Sequence, residues 1–195
     1  MLKRAFDIGF SLGWLICFSP LLLVVALLVR LKLGSPVLFI QERPGLRAKP
    51  FRMVKFRTMN AARGPDGELL PDDQRLTSFG RFLRATSLDE FPEMWNVLIG
   101  DMSVVGPRPL LMRYVPRYDA FQARRMEVKP GVTGWAQING RNTLTWEEKF
   151  ALDVWYVDHR SFWLDMRIVV KTFFKVFARS GIDAGAGKTM EEFKG

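Results

Sequence analysis

The stretch IGFSLGWLICFSPLLLVVALLV, from Ile8 to Val29, decides the architecture. It carries no charged residue and would reach roughly 33 Å as a helix, enough to cross a bilayer core. The run is too long for a cleavable signal peptide, and no small-residue cleavage site follows it. Ser19-Pro20 falls near its middle. Proline removes a backbone donor and clashes with the preceding turn, whereas the Ser19 hydroxyl can satisfy a freed carbonyl. Lys3 and Arg4 precede the run and Arg30 and Lys32 follow it, so positive charge marks both ends as cytoplasmic. Two readings stay open on this pattern. One is a kinked spanning anchor; the other is a helix that breaks, enters one leaflet and leaves by the same face.

Outward from that stretch, 195 residues suit one compact domain with an appended element, and an apolar share of 48% rules out a disordered chain. Near-zero mean hydropathy hides the gathering of apolar residues toward the two ends. A net charge of +9 favours a polyanionic partner: nucleic acid, an anionic membrane surface or a phosphate-bearing substrate. Cys17 and His159 are the only residues of their kinds. An internal disulfide is therefore impossible, and neither a Cys/His zinc site nor a serine or cysteine hydrolase fits. No Walker-type loop and no strand followed by Gly-x-Gly-x-x-Gly is present, which disfavours nucleoside triphosphatases and dinucleotide enzymes. Catalysis must come from carboxylates and cations.

The rest reads as an α+β chain, mainly helical with short strands. Pro36 to Gln41 and Phe51 to Arg57 read as strands, and residues 60–74 as a polar loop. Helices are expected over Phe79 to Arg84, after Pro92, over Tyr114 to Met126 on the surface, and from Thr145 to His159 with Thr145 as cap. Lys129 to Ile138 reads as a turn leading into an extended stretch. Phe162 to Arg179 sets aromatic residues beside lysine and arginine, the pattern of a helix lying on a membrane surface and equally of one packed on a core with a solvated basic edge.

Asp89 and Glu90 are adjacent carboxylates at a helix start. Ser87-Leu88-Asp89-Glu90 fits a capping box, yet Pro92 biases Phe91 away from helical geometry and can leave both acids on a tighter lead-in. A positive helix end there favours an exposed, ionised carboxylate, as a nucleophile or metal ligand must be. Lys55 and Arg57 on a strand, Arg84 on the preceding helix and Arg108 between two prolines add cations on stiff supports. An arginine's planar fork matches phosphate oxygens. Together these residues point to phosphate chemistry at a membrane surface; a basic, membrane-anchored binding module explains the charge and the apolar stretch but not the Asp-Glu pair.

In order, the chain carries Lys55-Phe56-Arg57-Thr58-Met59, then Leu76-Thr77 and Arg84 through Glu90, then Trp95-Asn96-Val97 and Gly100-Asp101-Met102-Ser103. Gly106-Pro107-Arg108-Pro109, Lys129 through Gly134 and Asn139-Gly140-Arg141 follow. With the broken apolar helix, this series resembles the monotopic phosphoglycosyl transferases, the bacterial sugar transferase family, in its minimal single-domain form. The resemblance implies a re-entrant helix over residues 1–34 broken at Ser19-Pro20, and a cytoplasmic catalytic domain over residues 35–195 with interfacial amphipathic helices. It implies a place on the cytoplasmic face of the bacterial inner membrane, in the first membrane step of glycan assembly.

By the same resemblance, Asp89 attacks a UDP-sugar, UMP leaves, and polyprenyl (undecaprenyl) phosphate takes the sugar phosphate from the covalent intermediate. Magnesium is the implied cofactor, contacted by Asp89 and Glu90. Lys55 and Arg108 match phosphate-binding positions, with Arg57, Arg84 and Arg141 as further candidates. Implied partners are the donor, the acceptor, phospholipid and downstream glycosyltransferases, and no nucleic acid. The tail from Gly181 to Gly195 resembles those of members handling UDP-diacetylbacillosamine, with glucose and galactose as alternatives.

Overall fold

In the computed structural model, which describes residues 1–140, 144–177 and 192–195, the apolar stretch forms two helices, α1 (Leu2–Cys17) and α2 (Ser19–Leu33). They are bent by 63° across Phe18. Pro20 sits in the first turn of α2, where its missing donor costs no helical bond, and the Ser19 hydroxyl donates to the carbonyl of Ile16 at 2.8 Å. Neither helix alone is long and apolar enough to cross a membrane. Leu12 and Ile16 of α1 and Leu23, Val24, Leu27 and Leu31 of α2 face outward, while Val25, Val29 and Leu33 are buried against Phe56 and Leu83.

The first two turns of α1 are polar and grip the body of the protein. Asp7 is buried and accepts from the Ser103 hydroxyl and from the Val104 amide at 3.0 and 2.9 Å. Arg4 donates to the carbonyls of Val97 and Leu98, both at 2.7 Å. Lys3 reaches the carbonyl of Val105 at 3.0 Å and Asp165 at 2.5 Å, and Asp165 also accepts from the Tyr156 hydroxyl. Lys3 and Arg4 therefore hold specific partners in addition to marking a helix end.

Strands β1 (Leu38–Pro44) and β2 (Pro50–Phe56) form an antiparallel hairpin, in register from Leu38 opposite Phe56 to Pro44 opposite Pro50. Short helices α3 (Asp72–Arg75) and α4 (Ser78–Ala85) follow, the second capped by the Thr77 hydroxyl. Helix α5 (Glu93–Ile99) stops at Gly100, whose φ of 98° is the left-handed ending that glycine favours. Strand β3 (Ser103–Val105) pairs in parallel with β4 (Gly131–Thr133). A Cβ on Gly106 would lie 2.4 Å from the Lys129 carbonyl oxygen, so only glycine lets these two segments close.

Helices α6 (Ala120–Ala123), α7 (Trp135–Asn139), α8 (Trp146–His159) and α9 (Phe162–Phe177) complete the described elements. The central core joins Met53, Val97, Met102, Val104, Tyr156 and Ile168. Thr145 caps α8 through a full capping box with Glu148, as its sequence suggests. The exposed side chains Trp163, Val170, Phe173 and Phe174 line α9.

Three expectations need correction. The Tyr114 to Met126 region is not one helix: Pro116 lies in the 3-10 segment Met112–Arg117, and Asp119 caps the separate α6. The stretch before Ile138 is helical, as α7, because the extended portion ends at Thr133. The first strand is shifted to Leu38–Pro44, where it can pair with β2 along its whole length.

Candidate active site

Five side chains from four supports meet beside the hairpin. Lys55 comes from β2, Asp89 and Glu90 from the 3-10 turn Leu88–Glu90, Glu93 from the first position of α5, and Arg108 from the turn after β3. Asn96 fixes α5 to the strand: its Oδ1 accepts from the Val54 amide at 3.0 Å and its Nδ2 donates to the Arg52 carbonyl at 2.8 Å. One buried amide thus replaces a neighbouring strand and sets Lys55 against Glu93. Arg108 is held from behind. Arg125 donates to the Arg108 carbonyl at 2.7 Å, and Arg43 to the Pro109 carbonyl at 3.3 Å.

Glu90 is the hub. Lys55 Nζ donates to its Oε1 at 3.0 Å, Arg108 donates to both of its oxygens, and Lys55 Nζ also lies 2.9 Å from Glu93 Oε1. Burial opposes the ionisation of Glu90, but Arg108 and Lys55 outweigh it and hold the carboxyl well below its usual range. The charge of Glu90 in turn keeps Arg108 firmly protonated. Glu93, only 2% exposed, is pushed up to about 7, first by burial and then by Glu90, with Lys55 and Arg108 opposing.

Asp89 departs from expectation. It is 8% exposed, not open to solvent, and among the described residues its carboxylate has no hydrogen-bond or ion-pair partner within 4 Å. Burial and then the neighbouring Glu90 push it up to about 6, against Lys55, Arg108 and Arg84. No capping box forms, because Ser87 takes a left-handed conformation (φ 55°) and its hydroxyl caps nothing. The regular helix begins at Glu93, four residues after Asp89, so a helix end does not offset the burial. What remains is an unpaired, high-energy carboxylate with three cations near enough to act on it.

The other candidates divide. Arg84 is exposed and donates to the Thr58 hydroxyl at 3.1 Å, with its charge felt by Asp89. Arg57 is engaged elsewhere: it donates to the carbonyls of Leu33, Ser35 and Met59, tying α2 to the end of β2. Arg141 and the tail residues 181–191 lie outside the described residues. Glu93 and Arg43 were not singled out by the sequence. An acid in a first helical turn looks like ordinary dipole complementation, and nothing local reveals that its partner is a strand lysine.

Among the described residues no three His, Cys, Asp or Glu side chains converge on a metal position. Magnesium does not require three, since it commonly takes one or two carboxylates and fills its shell with water and substrate phosphate oxygens. The unpaired carboxylate of Asp89, raised by burial and by the charge of Glu90, suits such a shared cation.

A family model described as "Bacterial sugar transferase" matches residues 1–179. The chain is 55% identical over 195 residues to "Uncharacterized sugar transferase EpsL" of Bacillus subtilis (strain 168), covering all of this chain and 96% of that one. It is 42% identical over 188 residues to the UDP-glucose:undecaprenyl-phosphate glucose-1-phosphate transferase of Escherichia coli (strain K12), covering 91% of this chain and 40% of that one. To galactosyl transferase CpsE of Streptococcus agalactiae serotype III (strain NEM316) it is 39% identical over 194 residues, covering 92% of this chain and 43% of the relative. The chain thus spans nearly all of the first relative and less than half the length of the other two.

Proposed function

The chain belongs to the bacterial sugar transferase family, and on that footing we propose that it moves a sugar 1-phosphate from a UDP-sugar to a polyprenyl phosphate. The observation that carries this reading is the unpaired Asp89 carboxylate beside the Lys55–Glu90–Arg108 cluster. A carboxylate oxygen of Asp89 attacks the β-phosphorus of the donor, the bond to the UMP oxygen breaks, and the sugar phosphate stays on Asp89 as an acyl phosphate. A phosphate oxygen of the polyprenyl acceptor then attacks that phosphorus. The acyl–phosphate bond breaks, the polyprenyl diphosphate sugar departs and the carboxylate of Asp89 is restored.

Lys55 and Arg108 orient the diphosphate and offset its charge, without which two anions could not approach a third. Magnesium, held by Asp89 and Glu90, supplies further neutralisation of the diphosphate when bound. Glu90 keeps both cations in place. Arg84, and Arg141 in the undescribed segment, are proposed as outer phosphate contacts; Arg57 is proposed only as an anchor of α2.

The bent pair α1–α2 supports a re-entrant anchor over residues 1–34, its outward apolar faces buried in one leaflet and the domain over residues 35–195 on the cytoplasmic face of the inner membrane. α9, with Trp163, Phe173 and Phe174 exposed, is proposed to lie at the headgroup level. That arrangement brings a lipid phosphate and a soluble nucleotide sugar to one place. Glycosyltransferases acting on the lipid-linked product are the downstream partners.

The test is a donor panel of UDP-glucose, UDP-galactose and UDP-diacetylbacillosamine, supplied first without acceptor. The expected result is a burst of about one UMP per protein and a phosphosugar adduct mapped to Asp89 by mass spectrometry, discharged on addition of polyprenyl phosphate. Absence of any adduct with every donor, despite turnover once acceptor is present, would refute the covalent route. A pH dependence follows from the raised Asp89 carboxyl. Below about pH 6 the free enzyme holds Asp89 protonated and unable to attack, so kcat/KM for the donor should rise with pH along a limb centred near 6. A limb near 4, the range of an ordinary aspartate, would contradict the burial argument.

A further inference from the structure

We propose that Glu93 is a positioning residue: it holds the Lys55 ammonium beneath the Asp89–Glu90 turn, so that Lys55 keeps one fixed anchor when a donor's phosphates draw it away from Glu90. The inference rests on the transferase reading above and adds to it a residue which that reading leaves idle.

Lysine presents a point charge on a flexible four-carbon stem, and such a charge directs a reaction only if something fixes it. Lys55 has two carboxylates within reach, at 3.0 Å (Glu90) and 2.9 Å (Glu93), and its side chain is largely buried. They are not equivalent. Glu90 also takes Arg108 on both oxygens and borders Asp89, so an incoming diphosphate competes with it for both cations. Glu93 opens α5, which Asn96 bonds to β2 on either side of Met53, so it cannot follow the substrate.

The charged groups facing Glu93 are Lys55 from β2, Arg43 from β1, Glu90 from the 3-10 turn and Arg108 from the turn after β3. With its carboxyl pushed up to about 7, Glu93 is roughly half protonated at neutral pH. Its main contribution there is a side-chain oxygen held 2.9 Å from the Lys55 ammonium, with a full ion pair added as pH rises. An isosteric amide should therefore serve nearly as well, and an apolar side chain should not.

The experiment is a cycle of Glu93→Leu, Glu93→Gln and Lys55→Met. For the donor, kcat/KM should fall about 30-fold in Glu93→Leu, mostly in kcat, and stay within about threefold in Glu93→Gln. On the Lys55→Met background, Glu93→Leu should add less than about twofold. A readout independent of turnover is acylation of Lys55 by an amine reagent, followed by peptide mass spectrometry. Glu93→Leu should speed it about fivefold or more, and the ratio of Glu93→Gln to wild type should climb from about one at pH 6 to about three at pH 8 as the wild-type pair ionises. That ratio decides the matter if the leucine variant does not fold. Additive losses in the cycle, or a ratio that stays flat with pH, overturn the proposal while leaving the transferase reading intact. Wild-type protein that releases no UMP from any donor overturns that reading instead, and the acylation ratio alone then judges the contact.

Discussion

Asp89→Asn should remove turnover almost completely, by about a thousandfold or more in kcat, while leaving the fold intact and more stable at alkaline pH. The loss follows because the amide oxygen is too weak a nucleophile to open a diphosphate, and the surrounding cations cannot replace a missing attacker. The gain in stability follows from the same burial. In the folded chain the Asp89 carboxyl titrates near 6, against an ordinary 3.8, so folding favours its protonated form. Its contribution to stability is complete below about pH 4 and is lost as pH rises through 6. Above that, wild-type protein carries an ionised, unpartnered carboxylate that the amide does not, and relief of about 1–3 kcal/mol is expected. Thermal unfolding in nanodiscs should show a midpoint several degrees above wild type at pH 8 and near parity at pH 4. An Asn variant that keeps a tenth of the activity would remove Asp89 from the reaction; one that is less stable at pH 8 would remove the strain.

The second large effect lies away from the reacting atoms. Arg125 and Asp153 form a pair with both side chains 2% exposed, at 2.6 Å, and Arg125 also donates to the Arg108 carbonyl. Asp153→Ala leaves a guanidinium charge buried without its counter-ion, at a cost of about 3–5 kcal/mol. For a chain of this size the melting midpoint should drop by about 8–15 °C. Donor kcat/KM should fall too, because the turn presenting Arg108 loses its rear support. Replacing both partners, as Arg125→Met with Asp153→Leu, should recover most of the midpoint and little of the activity. A single Asp153→Ala variant melting within about 2 °C of wild type would show that the pair carries no such weight.

Features with local causes were readable in the sequence. The break at Ser19-Pro20, the cap at Thr145 and the alternation of β2 each depend on a few adjacent residues, and each stands within a residue or two of where the pattern put it. The Asp-Glu pair and the proline-flanked Arg108 stand out in the sequence as candidates, and the fold brings Glu90 and Arg108 into contact. Partners far apart in the chain were not. Arg57 has the look of a phosphate ligand, but its donors are taken by carbonyls at the end of α2 and just after it. Arg125 reads as part of a basic surface helix and is instead buried, because α8 supplies Asp153. Asp89 reads as exposed, since sequence spacing carries no information on how deeply a turn is packed. Glu93 is masked by the ordinary preference of helix starts for acids.

The grips of α1 have a consequence for how the protein is made. Lys3, Arg4 and Asp7 are synthesised some ninety to one hundred and sixty residues before the groups they grip, Val97, Leu98, Ser103, Val105, Tyr156 and Asp165. During translation α1 therefore waits without its seat until synthesis has passed Asp165.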